Sequence, residues 1–409
     1  MKILITTDLY KPSINGVVTS VLNLSEELSK MGHDVKILTL SRNIHSHKSD
    51  NVYYIKSIPV NVYPDIRATV LLYDQLINEL ISWKPDIIHS QCEFFTYTYG
   101  KYISKKTKAP IVHTYHTMYE DYISYLKINK KYSRQVVSFM SKNRLKDAAV
   151  IIAPTNKVKK TLLAYDITKD IKVIPTGLNI LSFESNFDDK DKEILRKKYS
   201  IPSDADLLLY LGRIGEEKNI RALLINFKAL VARRDNIYLL VVGGGPYEKT
   251  LAQEIINLSL ENKVIMTGMV DPKKVSLFYK SADIFVSASQ SETQGLTYIE
   301  ALASGLPLVC RYDECLEKVL IDGYNGFYYK DEEGFINNIE KILDSKTLME
   351  TMKKNSLETS KYYSKTYFAK SVEKVYKLAL SISKTRPRSR RIIRSSLPAF
   401  LDFKNHLIK

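Results

Sequence analysis

Cysteine and tryptophan are scarce in this chain, with three and one among 409 residues. Three scattered cysteines cannot supply a disulfide framework. Neither Cys310 with Cys315 nor His45 with His47 has partners at zinc-ligand spacing, so no metal is expected. Long apolar runs are missing too: stretches such as 148–153 fall far short of the roughly 18 residues that cross a bilayer. No short repeat recurs, which excludes solenoids and propellers. The start, Met1-Lys2-Ile3-Leu4-Ile5-Thr6-Thr7-Asp8, turns polar before a signal-type apolar segment develops, so the expected compartment is the cytoplasm. Acid is short as well: 61 Lys and Arg against 45 Asp and Glu leave a net charge of +16, which favours an anionic partner.

What is present is an ordinary globular composition, 44% hydrophobic and 26% charged, over a length that suits two or three compact units. Short β-type runs alternate with helical patterns, the mark of parallel sheets with crossover helices. In the first half the expected strands are 2–7, 34–40, 86–90, 110–114, 148–153 and 171–174, with helices over 17–31 and 67–83. The second half starts again with strands at 206–211, 237–242, 263–267, 283–288 and 306–310. A polar, acid-rich segment at 179–203 reads as an exposed crossover, with the boundary near Gly177. The expected units are therefore 1–177, 178–364, a closing helix 365–383 and a basic tail 384–409. Two such sheets bind ligands at the carboxyl ends of their strands and face one another across a cleft.

The loop after 283–288 holds Glu292 and, eight positions on, Glu300. A helix beginning near Gly295 offers unpaired amides and a positive dipole end to a phosphate. Eight helical residues span ~12 Å, comparable to the reach from a ribose across a diphosphate to a hexose, although an acidic residue near a helix start also complements the dipole. After 206–211, Arg213 and Lys218 stand at a helix start, where cations are unfavourable unless an anion lies between them; two solvated surface cations are the alternative. The first half contributes Gly16 after its first strand. It also contributes His113 and His116, which strand alternation points in opposite directions, so at most one of them faces the cleft, and His116 is nearer the loop end.

Other nucleotide motifs fail. Gly243-Gly244-Gly245-Pro246 follows a strand, but Glu248 stands where a dinucleotide fingerprint needs its third glycine, and no Walker lysine loop occurs. Asp204-Ala205-Asp206 and Asp189-Lys190-Asp191 have the form of a metal–nucleotide ligand in positions that suit solvated loops.

Taken together, the Gly16 loop, the His116 loop, Pro175-Thr176-Gly177, Arg213 with Lys218, Gly243-Gly244-Gly245-Pro246 and the Glu292–Glu300 spacing resemble the retaining glycosyltransferases of family four. The resemblance covers roughly 1–380. Val17-Val18-Thr19-Ser20, the segment 113–122 and Glu292-Thr293-Gln294-Gly295-Leu296-Thr297 are similar to the bacterial members that glucosylate diacylglycerol. Most other members carry Phe-Gly where this chain has Gln294-Gly295. The resemblance implies an α/β fold of GT-B type, two Rossmann-like parallel-sheet domains facing a central cleft. It further implies transfer of glucose from UDP-glucose to 1,2-diacylglycerol with α configuration. Arg213 and Lys218 would neutralise the departing diphosphate; Gly16, Gly295 and Leu296 would bring amides to phosphates and sugar. Glu300 would hold the ribose, Glu292 the hexose hydroxyls, and His116 the donor sugar. No dedicated nucleophile is identifiable, and a front-face attack, in which the phosphate oxygen takes the acceptor proton, needs none.

A lipid acceptor implies contact with an anionic membrane surface. Residues 101–150 carry eleven basic side chains against Glu120, Asp121 and Asp147. Within them, Lys127, Lys130, Lys131, Arg134, Lys142, Arg144 and Lys146 are interleaved with Tyr132, Val136, Phe139 and Met140, as in an interfacial helix; a core-packing helix with a solvated rim is the alternative. The tail adds Arg388, Arg390 and Arg391. No nucleic-acid reading motif is present, so nucleic acid is not an expected partner. Two alternatives remain open: the same donor chemistry on a glycosylated lipid or a lipid-linked polysaccharide precursor, and a non-catalytic basic scaffold.

Overall fold

The computed structural model describes residues 1–13, 15–60, 67–69, 74–117, 130–184 and 189–385. The first sheet comprises β1 (Lys2–Thr6), β2 (Asp34–Leu40), β3 (His47–Ser49) and β4 (Val52–Ile55). A small antiparallel pair, β5 (Ile58–Pro59) and β6 (Arg67–Ala68), lies beside it, and β7 (Ile87–Ser90), β8 (Ile111–Thr114), β9 (Val150–Ala153) and β10 (Asp170–Val173) complete it. The strand order is β10-β9-β8-β7-β1-β2-β4-β3, parallel except for the β3–β4 edge. The second sheet is wholly parallel: β11 (Asp206–Leu211), β12 (Ile237–Val242), β13 (Val264–Gly268), β14 (Ile284–Ser287), β15 (Leu308–Arg311) and β16 (Gly326–Tyr329), in the order β13-β12-β11-β14-β15-β16.

Both sheets are covered on two faces, which is why their central strands read as unbroken apolar runs. In β1, Ile3 and Ile5 enter one core with Val21, Leu24 and Leu28, while Leu4 enters another with Tyr97, Tyr99 and Ile103. In β11, Leu208 and Tyr210 divide in the same way from Leu207 and Leu209. The order in which successive strands are added reverses between β7 and β1 in the first sheet and between β14 and β11 in the second, while the strands themselves stay parallel. Such switch points leave a crevice at the strand ends, so the loops after β1, β7, β11 and β14 are placed to bind.

Two expected elements differ. The helix expected over 67–83 begins at Gln75, because the Asp74 carboxylate accepts the Leu76 amide at 2.9 Å as its cap. Arg67 instead lies in β6, where its Nε donates to the Ser57 hydroxyl at 2.7 Å. The polar segment 179–203 is not simply exposed: it forms the helices Leu181–Glu184 and Asp189–Lys198, and Leu195 and Ile201 enter a core of the second sheet.

The chain passes from one sheet to the other beside its own return. The Leu178 amide donates to the Tyr363 carbonyl and the Lys365 amide to the Leu178 carbonyl, both at 2.8 Å. The last helix, Lys365–Thr385, then packs back on the first sheet through Phe368, Val372, Tyr376 and Ala379. Each large apolar side chain so buried contributes about 1.5–3 kcal/mol, enough to keep this helix on the first domain.

Candidate active site

On the second-domain side, the loop after β14 enters the helix Leu296–Ala303 through Gly295, whose φ of +70° is a left-handed conformation suited to glycine; no side chain caps that helix. Glu292 Oε1 accepts from Lys218 Nζ at 2.6 Å and from the Ser289 hydroxyl at 3.1 Å. Burial raises its pKa, but Lys218, the Ser289 hydroxyl and Lys157 together outweigh burial and hold the carboxyl below its ordinary value. Glu300, in the same helix, accepts the Tyr279 hydroxyl at 2.8 Å, and burial pushes its pKa up. The two carboxylates eight residues apart therefore sit in unlike surroundings, one ion-paired and one held by a neutral phenol.

Arg213 follows β11 and pairs with Glu217. The sequence sets Arg213 and Lys218 against a helix dipole, but the segment Glu216–Lys218 is a single 3-10 turn and the α-helix begins only at Ile220. Their charges are met by Glu217, four positions from Arg213, and by Glu292, whose pairing with Lys218 no sequence spacing announced. Gly243-Gly244-Gly245-Pro246 supports this loop rather than a phosphate turn. A Cβ on Gly243 would fall 1.9 Å from the Gly212 carbonyl oxygen, and one on Gly245 2.3 Å from that of Ile214. The bare backbones zip together instead, the Ile214 amide donating to the Gly244 carbonyl at 2.9 Å.

On the first-domain side, the helix Gly16–Lys30 starts at Gly16 behind an Asn15 cap. A Cβ on Gly16 would lie 3.5 Å from Leu296 Cδ1, so the first turns of two helices, one from each domain, meet across the cleft. The histidines divide as alternation demands. His113 is fully buried with Nε2 3.1 Å from Glu93 Oε1, while the half-buried His116 places Nε2 2.6 Å from Gln91 Oε1. An amide oxygen only accepts, so His116 carries its proton on Nε2 and leaves Nδ1 as the acceptor nitrogen. Burial, with His113 nearby, lowers the His116 pKa to about 3, so the ring stays neutral.

Behind Gln91, its Nε2 lies 3.1 Å from His89 Nε2, and the buried His89 bridges the Tyr376 and Thr114 hydroxyls, each at 2.7 Å. Neither Gln91 nor His89 stood out in the sequence. Their one signal was their place at the end of β7, His89 within the strand and Gln91 just beyond it, at the switch point.

The helix Lys130–Leu145 buries Val137, Ser141 and Leu145 and leaves Phe139 70%, Val136 39% and Met140 38% exposed. Arg134, Lys142 and Lys146 are exposed, with Lys142 Nζ 3.6 Å from Asp166. Arg144 is half-buried and turned inward: its Nη1 donates to the Thr98 hydroxyl at 3.4 Å. Lys127, Arg388, Arg390 and Arg391 lie outside the described residues, as do the side chains of Lys130, Lys131 and Tyr132. Among the described residues no helix is long and apolar enough to cross a membrane, and no three His, Cys, Asp or Glu side chains gather as a metal site.

Two parallel-sheet domains joined by a double crossover, each with a switch-point crevice at its strand ends, have the GT-B architecture. The chain belongs to the glycosyltransferases of family four: residues 14–180 match Glycosyltransferase Family 4, and residues 191–359 match Glycosyl transferases group 1. It is 35% identical over 345 residues to an Alpha-monoglucosyldiacylglycerol synthase of Streptococcus pneumoniae, covering 84% of this chain and 78% of that protein. It is 31% identical to an Alpha-monoglucosyldiacylglycerol synthase of Acholeplasma laidlawii, covering 92% and 96%. Among solved structures, HepE of Anabaena in complex with UDP and glucose superposes with a TM-score of 0.71 at 16% identity, covering 92% of this chain and all of that one.

Proposed function

We propose that this glycosyltransferase moves glucose from UDP-glucose to 1,2-diacylglycerol at an anionic membrane surface, with retention of the α configuration. The observation that supports the reading is that Arg213, Lys218 and Glu292 stand in the loops after β11 and β14, next to the helix start at Leu296 that meets Gly16 of the first domain. In this reading the diphosphate lies between the two helix starts, where the amides of Gly16, Gly295 and Leu296 reach it. Arg213 and Lys218 exchange their carboxylate partners for phosphate oxygens and stabilise the charge that develops as the C1–O bond breaks. Glu292, released from Lys218, accepts from hexose hydroxyls; Glu300 accepts from the ribose. Neutral His116 meets the sugar from the first domain. The acceptor oxygen attacks from the face that the phosphate leaves, and a phosphate oxygen takes its proton.

The acceptor is argued from the two diacylglycerol-glucosylating relatives and from the exposed Phe139, Val136 and Met140, flanked by Lys142 and Lys146. Apolar side chains ringed by lysines suit the headgroup boundary of a leaflet. In this reading the enzyme is peripheral on the inner face of the cell membrane, and the tail Arg388, Arg390 and Arg391 adds electrostatic attraction. The test is a product assay with UDP-glucose and vesicles carrying either diacylglycerol or glucosyl-diacylglycerol. An α-glucosyl-diacylglycerol product supports the reading; product from the second vesicle alone moves the enzyme to a later acceptor.

A further inference from the structure

The loop that carries Glu292 is held from the opposite domain. Gln294 is almost fully buried, and its amide pairs both ways with the backbone of Thr176 just after β10. The Thr176 amide donates to Gln294 Oε1 at 2.8 Å, and Gln294 Nε2 donates to the Thr176 carbonyl at 3.0 Å. The Thr155 hydroxyl donates to the Thr293 carbonyl at 2.9 Å. Lys157, at the start of the helix Asn156–Ala164, sends Nζ to the Gln290 carbonyl at 2.8 Å and the Glu292 carbonyl at 3.2 Å. The same ammonium pairs with the buried Asp313 at 2.7 Å. Four residues of the loop, Gln290, Glu292, Thr293 and Gln294, are thus tied to the ends of β9 and β10.

We infer that Gln294 and Lys157 are positioning residues for sugar transfer: they lock the Glu292 loop to the first domain and fix Glu292 relative to His116 across the cleft. Neither reaches the donor in this account. Gln294 does what a phenylalanine cannot, because only a side-chain amide offers a donor and an acceptor in the geometry of a backbone pair. The loop's backbone runs between two domains where no strand partner is at hand, and Lys157 satisfies two of its carbonyls at once. Of the proposed nucleotide contacts, Glu300 lies beyond the clamp in the helix that follows, and Arg213 and Lys218 stand after β11 on a loop that Gln294 and Lys157 do not hold. Loosening the clamp therefore displaces the sugar end of the site more than the nucleotide end. The inference rests on the reading of Glu292 as the hexose ligand.

The experiment compares Gln294→Leu, Lys157→Met and Lys157→Arg with the wild type in the full chain. It measures kcat and KM for UDP-glucose, UDP affinity by calorimetry, and Tm. A misplacement of about 1 Å at a reacting centre costs up to roughly 100-fold in rate. The expected result is a kcat lowered about 10- to 100-fold in Gln294→Leu and Lys157→Met, with UDP affinity within about threefold of wild type. Lys157→Arg should recover most of kcat, since a guanidinium still reaches Asp313 and a carbonyl. Wild-type kcat in both Gln294→Leu and Lys157→Met overturns the inference, as does parallel loss of UDP affinity, Tm and kcat, which marks a merely structural contact. Glu292→Gln separates the premises. If it transfers like wild type, the reading of the donor loop fails; if it is inactive while the clamp variants are normal, only the clamp fails.

Discussion

The two walls of the cleft solve opposite electrostatic problems. The second domain presents charge: Arg213 against Glu217 and Lys218 against Glu292, each ion pair partly shielded from water. The first domain presents neutral groups, with His116, Gln91, His89 and Thr114 joined by hydrogen bonds and both imidazoles pushed towards the uncharged form by burial. A leaving diphosphate needs cations that are fixed before it arrives, and a carboxylate partner keeps such cations ordered and partly desolvated in the meantime. A sugar hydroxyl needs the reverse, an oriented acceptor that adds no net charge. Each wall is matched to the group it would meet.

The sharpest way to break that comparison is to remove the cations. Arg213→Ala and Lys218→Ala should each lower kcat/KM for UDP-glucose about 100- to 1000-fold, some 3–4 kcal/mol of barrier, as for other losses of charge stabilisation at a leaving group. Steady-state kinetics over donor concentrations from below KM to saturation is the check, and wild-type values in both variants would place the anion site elsewhere. Of the carboxylates, Glu300→Ala should weaken UDP binding in calorimetry, while Glu292→Ala should leave it nearly unchanged and lower transfer.

The first domain is not neutral throughout: Glu93 lies against His113, and Asp8 stands just after β1. Asp8 accepts the Thr96 amide at 2.8 Å, while its second carboxylate oxygen is buried without a hydrogen bond. Burial raises its pKa to about 6. Between the ordinary carboxyl range and about pH 6 the folded state keeps a proton that the unfolded chain has released. Stability therefore falls as pH rises through that window and stays lower above it. Asp8→Asn, which mimics the protonated acid, should stabilise the protein by about 2–3 kcal/mol at pH 7.5 and by almost nothing near pH 4. Denaturant unfolding at both pH values measures the gap; an equal gap at each would remove the carboxyl's titration as its cause.

Gln91 is the next point of leverage. Gln91→Leu removes the acceptor that fixes the His116 tautomer, and the expected loss in kcat is about 10- to 100-fold with UDP affinity intact. Gln91→Glu sharpens the point: a carboxylate beside His116 favours the imidazolium and raises its pKa. A new limb should then appear in the pH–rate profile of that variant, where the wild type shows none from this ring. Identical profiles would mean that Gln91 does not govern His116.

How much of this could be read beforehand follows from where each interaction is encoded. The strands were legible because each core run, such as Leu207 to Leu209, is a local pattern. Glu292, Arg213 and Lys218 stood out as residues in loops after strands, and Glu300 as one in the helix that follows. The longer-range pairings did not, because Lys218 meets Glu292 across 74 positions and Gln294 meets Thr176 across 118. Gln91 and His89 were hidden for another reason: they read as ordinary polar residues until sheet order sets β7 between β1 and β8. The helix expected over 67–83 failed on chemistry that was in view, the Asp74 cap, which outweighed an apolar periodicity running past it.

The smallest expected effect concerns the first-domain helix Lys130–Leu145, which shows exposed apolar side chains beside lysines. Docking there has two components that respond differently to salt. Phe139, 70% exposed, would enter the leaflet, and a phenylalanine moved from water contributes about 1.5–3 kcal/mol independent of ionic strength. Lys142 and Lys146 contribute on the order of 1 kcal/mol each, fading beyond a screening length of about 8 Å at physiological salt. Phe139→Ser should accordingly weaken binding to anionic vesicles about tenfold at every salt concentration. Lys142→Glu with Lys146→Glu should weaken it at low salt and match the wild type at high salt. Sedimentation with vesicles of increasing anionic lipid content separates the two. UDP binding in solution should be untouched in all three substitutions, since the helix Lys130–Leu145 lies apart from the Glu292 and Glu300 contacts. Indifference of the wild-type protein to anionic lipid would return this face to a solvated surface, leaving the acceptor to reach the cleft by another route.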